Sequence, residues 1–166
     1  MTRDDSYREL PTGWAVTNVA QVANLLRGVS YRKDEARTEP ADGYRPVLRA
    51  NNIGTRITFD DLVYAPVDRI STEQLIRKGD IVLAMSSGSK RLVGKAAQAL
   101  RCFDGGFGAF CGLVRPASQM GARYLGMFFQ SPQYQAQVAA RSSGVNINNL
   151  RRGDIEDMRL PLPPLR

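Results

Sequence analysis

Residues 79–91, Gly79-Asp80-Ile81-Val82-Leu83-Ala84-Met85-Ser86-Ser87-Gly88-Ser89-Lys90-Arg91, join a short apolar run to a small polar loop. The run over 81–85 is continuous and bounded by turn residues, which is typical of a strand buried on both faces. The serine and glycine loop that follows is flexible and leads directly into two cations. The stretch therefore predicts a core strand that presents amides, hydroxyls and positive charge to a phosphate or a base edge. An ordinary solvated hairpin tip has the same pattern.

Positive charge is concentrated in the second half of the chain. The formal net charge is +7, yet Asp80 and Asp154 enclose nine lysines and arginines and a single acid, Asp104. Such a one-sided distribution is the electrostatic footprint of a polyanion. It also occurs on surfaces that positive charge merely keeps soluble. We interpret the distribution as favouring a nucleic acid partner.

The composition argues against most kinds of active site. The 166 residues include no histidine and two cysteines, Cys102 and Cys111. Triads, general bases and metal sites that need histidine are therefore excluded, and two cysteines alone cannot complete a structural zinc site. We expect no metal, no cofactor and no enzyme, although carboxylate chemistry stays open.

The sequence has no feature of a secreted or membrane protein. No run of about 18 apolar residues occurs, and residues 1–6 lack the apolar core of a signal peptide. We therefore expect a cytoplasmic protein with no membrane partner, with Cys102 and Cys111 as free thiols on buried extended segments.

A second polar strip is predicted at a hairpin tip. Residues 44–49 and 56–64 have the character of two strands, and Asn51-Asn52-Ile53-Gly54 forms the turn between them. Arginine binds a guanine edge and asparagine an adenine edge, but asparagine-rich turns are also common for backbone reasons alone. Residues 29–43 are expected to form a solvated loop, because Asp34 and Glu35 balance Arg32 and Lys33.

The remaining elements indicate a mixed fold. Val19, Val22, Ala23 and Leu26 recur at helical spacing, which predicts a helix that Gly28 ends. A buried strand is predicted over 110–114, and helices are predicted on either side of Ser131-Pro132 and near residue 155. We predict an α+β domain with a twisted, largely antiparallel sheet and packed helices.

An ordered set of motifs carries a family resemblance. It comprises Leu10-Pro11-x-Gly13-Trp14, the hairpin from Tyr44 to Ile53, Gly79-Asp80-Ile81-Val82-Leu83 with its loop, and Val93-Gly94-Lys95. It continues with the aromatic helix before Ser131-Pro132, Gly144-x-Asn146-Ile147-x-Asn149-Leu150, and Arg159-Leu160-Pro161-Leu162-Pro163-Pro164-Leu165. From Leu10 to its end, the chain resembles a target recognition domain from the specificity subunit of type I restriction-modification enzymes.

The resemblance implies a sequence-specific reader of double-stranded DNA that has no active site of its own. Its expected partners are methyltransferase subunits, an endonuclease subunit and a second specificity half. Residues 1–9 would be an N-terminal tail and residues 10–166 a single recognition domain, without the spacer helix that follows it in the family. A protein-interaction module with a basic docking face is the alternative function, and a small carboxylate-dependent nuclease is a less favoured one.

Matching positions imply a set of DNA-binding residues. Ser86 to Arg91 would face DNA, and Arg49, Asn51 and Asn52 would form a second contact strip. Basic residues outside these strips would bind phosphates, and Asn146 and Asn148 would read base edges, whereas Asn149 is expected to cap the last helix. The full predicted set is Arg49, Asn51, Asn52, Ser86, Ser87, Gly88, Ser89, Lys90, Arg91, Lys95, Arg141, Asn146, Asn148, Arg151 and Arg152.

Overall fold

The apolar run of the sequence forms an inner strand of a four-stranded sheet. The structure is a computed structural model that describes residue 7, residues 9–142 and residues 148–164. Strands β2 (Ala23–Arg27), β8 (Cys111–Pro116), β5 (Ile81–Ala84) and β6 (Ala96–Gln98) lie in that order, and all neighbours are antiparallel. All four side chains of β5 are fully buried, as predicted, because the sheet is covered on both faces.

Alternation along β5 divides the interior into two cores. Ile81 and Leu83 point into the core shared with the helices. Val82 and Ala84 point into a second core, together with Leu48 and Phe107. Because successive side chains of a strand point to opposite faces, an unbroken apolar run suits a strand between two cores. Burial of each large aliphatic side chain contributes about 1.5–3 kcal/mol to folding.

Helices cover one face of the sheet. They are α2 (Gln119–Phe128), α3 (Pro132–Ser142) and α4 (Arg152–Glu156). The predicted restart at Ser131-Pro132 is confirmed: Ser131 Oγ accepts a hydrogen bond from the Tyr134 backbone N–H at 3.2 Å. Tyr134 is fully buried and donates its hydroxyl to the Gly94 carbonyl at 2.8 Å, which ties α3 to the turn before β6.

Two smaller sheets complete the fold. Strand β3 (Tyr44–Leu48) pairs antiparallel with β4 (Val63–Pro66) and parallel with β7 (Gly106–Phe107), so the predicted hairpin is present with a longer connection. Strand β1 (Ala15–Asn18) pairs antiparallel with the proline-containing β9 (Arg159–Leu162). The predicted α+β class is thus confirmed. No helix in the described part of the chain is long and apolar enough to cross a membrane.

The helix predicted from Val19 onward is wrong beyond one turn. Helix α1 spans only Val19–Val22, and β2 follows at once. Pairing with β8 decides the conformation, because it buries Ala23 and Leu25 by strand alternation. Gly28 does not end a helix; a Cβ at this position would overlap the Gly108 backbone, so glycine permits a close approach of two segments.

Two local predictions near the cysteines are also wrong in part. Both thiols are free, but only Cys111 is buried, whereas Cys102 is exposed in a loop. Phe110 was predicted at the start of a buried strand, yet β8 begins one residue later and Phe110 is 70% exposed. The turn over residues 109–110 carries it outward before the chain enters the sheet.

A buried ion pair anchors β8 to the turn before β5. The Arg115 guanidinium donates to both carboxylate oxygens of Asp80, at 3.0 and 2.7 Å. It also donates to the carbonyls of Glu73 and Leu75. Asp80 is only 2% exposed and receives a further bond from the Arg77 backbone N–H, so its charge is fully partnered. Arg115 is therefore structural and does not belong to the positive surface.

Candidate nucleic-acid interface

Backbone pairing joins the loop that follows β5 to the asparagine-containing segment that precedes α4. Ser86 and Asn149 form an isolated antiparallel bridge. On either side of it, the Leu150 N–H donates to the Met85 carbonyl at 2.7 Å and the Ser87 N–H donates to the Asn148 carbonyl at 3.2 Å. The loop that follows β5 and the segment that precedes α4 therefore form one surface. Asn149 takes part in this pairing and does not cap α4, because Arg151 occupies the N-cap position of that helix.

The second contact strip, which contains Arg49 and Asn51, meets the same loop across a cavity. This first cavity has a volume of about 780 Å³ and is lined by Arg49 and Asn51 on one side and by Ser86, Ser87 and Gly88 on another. Strand β3 positions Arg49 because it delivers the chain to a 3₁₀ turn over Ala50–Asn52 at its end. Residues that the sequence predicted separately are thus brought to one concave surface.

A second cavity lies directly beside the first. It has a volume of about 540 Å³ and is lined by Arg27 at the end of β2 and by Arg151 and Arg152 at the start of α4. Four residues line both cavities and so mark their common border: Ser86, Ala109, Phe110 and Cys111. We call the two cavities and this border the loop face.

The loop face is strongly electropositive. Among the described residues no aspartate or glutamate lines either cavity, whereas six cations do. Four of them, Arg27, Lys33, Arg37 and Arg151, form no ion pair within the described ranges. The six are Arg27, Lys33, Arg37, Arg49, Arg151 and Arg152.

Two of the predicted cations already have acidic partners. Arg49 binds Asp61 at 3.0 Å, and Asn51 Nδ2 also approaches this carboxylate at 3.4 Å. Arg152 binds Glu156 at 2.7 Å along α4. Both pairs are exposed to solvent, where an ion pair contributes only about 0–1 kcal/mol. The guanidinium groups can therefore exchange these partners for an anion at low cost.

Asn52 does not face solvent, contrary to the prediction. It is 1% exposed, and its amide is used inside the loop. Oδ1 accepts from the Arg49 backbone N–H at 2.9 Å, and Nδ2 donates to the Asp60 carbonyl at 2.7 Å. With donor and acceptor both engaged, Asn52 holds the shape of the tip that presents Arg49 and Asn51.

The other predicted residues divide between the loop face and more distant positions. Ser89, Lys90 and Arg91 are exposed on the turn that extends from the loop face, and Lys95 is exposed where that turn leads into β6. Arg141 lies on α3, where its guanidinium donates to the Gln137 carbonyl at 3.1 Å, so the structure does not bring it to the loop face. Asn148 is exposed beside Ser87, and Asn146 lies outside the described residues.

Sequence reasoning missed several residues of the loop face. Lys33 and Arg37 come from the loop expected to be merely solvated, and Arg27 from the segment predicted to be helical. Arg32 is indeed paired with Asp34, as the charge pattern suggested, but Lys33 is not. The order of charges along the chain therefore does not show which neighbouring cation Asp34 neutralises.

Burial keeps the Cys111 thiol and the Tyr31 hydroxyl at the cavity walls protonated by raising their pKa values. Desolvation raises the pKa of the Cys111 thiol to about 12. It also raises the pKa of Tyr31, although the nearby Arg49 opposes the shift. A thiol with such a pKa is not a nucleophile at neutral pH. The loop face thus offers hydrogen-bond donors and positive charge, which suit binding of an anion.

Relatives of known identity match nearly the whole chain. The type I restriction enzyme EcoKI specificity subunit of Escherichia coli (strain K12) is 40% identical over 161 residues, which are 96% of this chain and 35% of that protein. The StySPI specificity subunit of Salmonella potsdam is 40% identical over 158 residues, covering 95% and 34%. The chain thus spans about a third of the length of these relatives. No family model matches it.

Solved structures share the fold. The HsdS subunit from Thermoanaerobacter tengcongensis aligns with a TM-score of 0.66 at 18% identity, covering 96% of this chain and 35% of that one. A chain from a study of complex assembly and conformational transition of the type I R-M system aligns with a TM-score of 0.69 at 18% identity, covering 96% and 36%. The chain belongs to the family of type I restriction-modification specificity subunits, in which it corresponds to a target recognition domain.

Proposed function

We propose that this chain reads a short sequence of double-stranded DNA through the loop face. Three segments that lie apart in the sequence converge on two adjoining cavities: the loop after β5, the tip that holds Arg49, and the segment before α4. The cavities are lined by six cations and, among the described residues, by no acid, and this convergence carries the proposal. Phosphates attract such a surface and fix its register, while exposed side chains between the cations read base edges. Asn51, Ser87 and Asn148 would do the reading.

The proposed action is binding without catalysis. Recognition would direct other subunits to the site: methyltransferase subunits, an endonuclease subunit and a second specificity half. Kinship with specificity subunits supports these partners, as does a matched structure from a study of complex assembly in the type I R-M system. Residues 10–166 would then act as one recognition domain of such an assembly.

One observation favours the alternative of a protein-interaction module. A third cavity of about 770 Å³ lies apart from the loop face and is bordered by Arg56, Arg101 and Arg123. Leu100 and Met127 line it and are 75% and 64% exposed. Exposed apolar groups with a cationic rim suit an acidic protein surface. In a specificity subunit this alternative and DNA recognition are compatible, since they use different surfaces.

Selection of bound duplexes from a randomised pool tests the proposal. The purified chain is incubated with the pool at two salt concentrations, and the retained duplexes are sequenced. We expect a short motif of a few base pairs that persists at the higher salt, because base contacts depend less on salt than phosphate contacts do. Retention without any motif, or no retention at low salt, would contradict sequence recognition by this chain.

A further inference from the structure

Phe110 is a large apolar side chain held in solvent at the centre of the loop face. It is 70% exposed and lies on the border that the two cavities share. The other strongly exposed apolar side chains, Leu100 and Met127, belong to the third cavity. Phe110 is therefore an exposed aromatic group that lies among the cations of the loop face.

The backbone that carries Phe110 is firmly held. Its carbonyl accepts hydrogen bonds from the N–H groups of both Met85 and Ser86, each at 3.0 Å. On its other side, the Cys111 N–H donates to the Gly108 carbonyl at 2.8 Å, and the buried strand β8 begins. The side chain is thus mounted on a backbone held at the end of the central sheet, so little backbone conformational entropy is lost when it meets a ligand.

Small residues surround this aromatic group. Gly108 and Ala109 precede it in the chain, and Ser86, Ser87 and Gly88 line the first of the two cavities that it borders. A surface of small residues permits the backbone to approach a duplex closely, so that Phe110 extends toward the bases. Cations stand on both sides of it: Lys33, Arg37 and Arg49 in the first cavity, and Arg27, Arg151 and Arg152 in the second.

We propose that Phe110 inserts against the base stack and partly unstacks one base step of the bound duplex. The inference rests on the proposed function and deepens it by assigning DNA deformation to one side chain. Apolar side chains act as wedges of this kind where flanking cations hold the backbone on both sides of the opened step. A wedge makes binding depend on how easily the step deforms, so Phe110 contributes to sequence selectivity without a hydrogen bond.

Fluorescence of 2-aminopurine tests the wedge. A duplex recovered from the selection carries the analogue at each purine position in turn, and each duplex is titrated with the chain. We expect fluorescence to rise several-fold at one position or at two adjacent ones. Phe110→Ser should abolish the rise and weaken binding about tenfold, whereas Phe110→Leu, which keeps an apolar wedge, should retain part of it. Leu100→Ser is the matched control, because it removes an equally exposed apolar side chain from the third cavity.

The outcomes separate this inference from the proposed function. If the duplex binds without a fluorescence rise at any position, or if the rise survives Phe110→Ser, the wedge is overturned while DNA recognition stands. Weaker binding by Phe110→Ser with no unstacking would assign Phe110 to a thymine methyl contact instead and would also overturn it. If the selection recovers no duplex, the proposed function fails and the wedge fails with it.

Discussion

Ser86 and Asn149 pair as an antiparallel bridge, which joins a loop from the middle of the chain to a segment near its end. The bridge continues the line of β5 beyond the sheet, so a strand whose side chains are all buried supports the loop face. Three backbone segments meet there and support one another. We therefore expect the interface to be sensitive to substitutions that alter the backbone at positions with small side chains.

Ser87→Pro should weaken DNA binding while the fold persists. The substitution removes the N–H that donates to the Asn148 carbonyl at 3.2 Å. Loss of one such bond costs about 1 kcal/mol, so affinity should fall about fivefold if binding requires the paired arrangement. Fluorescence anisotropy with a selected duplex measures the change. Ser87→Ala keeps the N–H and removes only the hydroxyl, so Ser87→Pro should lose more affinity than Ser87→Ala; an equal loss in both variants would show that the hydroxyl matters and the pairing does not.

Asp61→Asn should strengthen DNA binding. Asp61 holds Arg49 at 3.0 Å and lies near Asn51, so it competes with DNA for both side chains. Its backbone φ of 51° is left-handed, a conformation that asparagine tolerates. Affinity should rise up to about fivefold, the range of one exposed ion pair.

The control for this change is Asp104→Asn. Asp104 pairs with Arg45 at 3.0 Å and is equally exposed, so its removal changes the net charge by the same amount. Anisotropy titrations at one salt concentration compare the two variants. Equal gains in affinity would mean that overall charge, and not release of Arg49, controls binding.

Asp80→Asn should destabilise the chain by about 3 kcal/mol, because it leaves the partly buried Arg115 guanidinium without its counter-charge. Glu156→Gln breaks the exposed pair with Arg152 and should cost less than about 1 kcal/mol. Urea unfolding followed by circular dichroism measures both. A small loss in Asp80→Asn would refute the structural role given to Arg115.

Stability should decline as the pH rises above about 9. Burial raises the folded-state pKa of Cys111 from 9.0 to about 12, so above pH 9 the unfolded thiol ionises while the folded one stays protonated. The unfolded state then binds fewer protons, and the free energy of unfolding falls with increasing pH. Urea unfolding at pH 8 and pH 10 should show this fall, and Cys111→Ala should reduce it.

Thiol labelling gives an independent check of the same burial. Exposed Cys102 should react quickly with iodoacetamide, and Cys111 should react only when the chain unfolds. Rapid modification of both thiols in the native chain, or an unchanged pH dependence in Cys111→Ala, would contradict the burial of Cys111.

The sequence predicted the elements whose identity depends on local pattern. Residues 81–85 were recognisable because an apolar run of that length, bounded by turn residues, fits a strand covered on both faces. The strand within residues 19–26 was not recognisable. Val19, Val22, Ala23 and Leu26 follow helical spacing, while Ala23 and Leu25 also fit the alternating pattern of a strand. Pairing of Leu25 with Val114 on β8 decides between the two, and a partner so distant in the chain leaves no local signal.

In the candidate site, too, some residues could be predicted from local pattern and others depend on long-range contacts. Ser86 and Ser87 were visible because they follow the buried strand, and Arg49 and Asn51 because they follow a hairpin strand. Their convergence depends on long-range packing that no spacing reveals. Phe110 was missed because nothing local distinguishes it from Phe107, which is fully buried three residues earlier. Asn52 was included in error because composition alone cannot separate an amide that holds a turn from one that faces solvent.

We propose that DNA binds at the loop face and not at positive charge in general. Two triple variants separate these possibilities, because each removes three cations from a different surface. Arg27→Gln, Lys33→Gln and Arg151→Gln change the loop face, whereas Arg56→Gln, Arg101→Gln and Arg123→Gln change the third cavity. The measurement is the affinity for a selected duplex as a function of salt concentration.

We expect the first triple variant to lose most of its affinity and to show a shallower dependence of log K on log salt, reduced by about one unit for each phosphate contact removed. The second should bind almost as the unchanged chain does. Equal losses in the two variants, or a greater loss in the second, would contradict the placement of the DNA interface on the loop face.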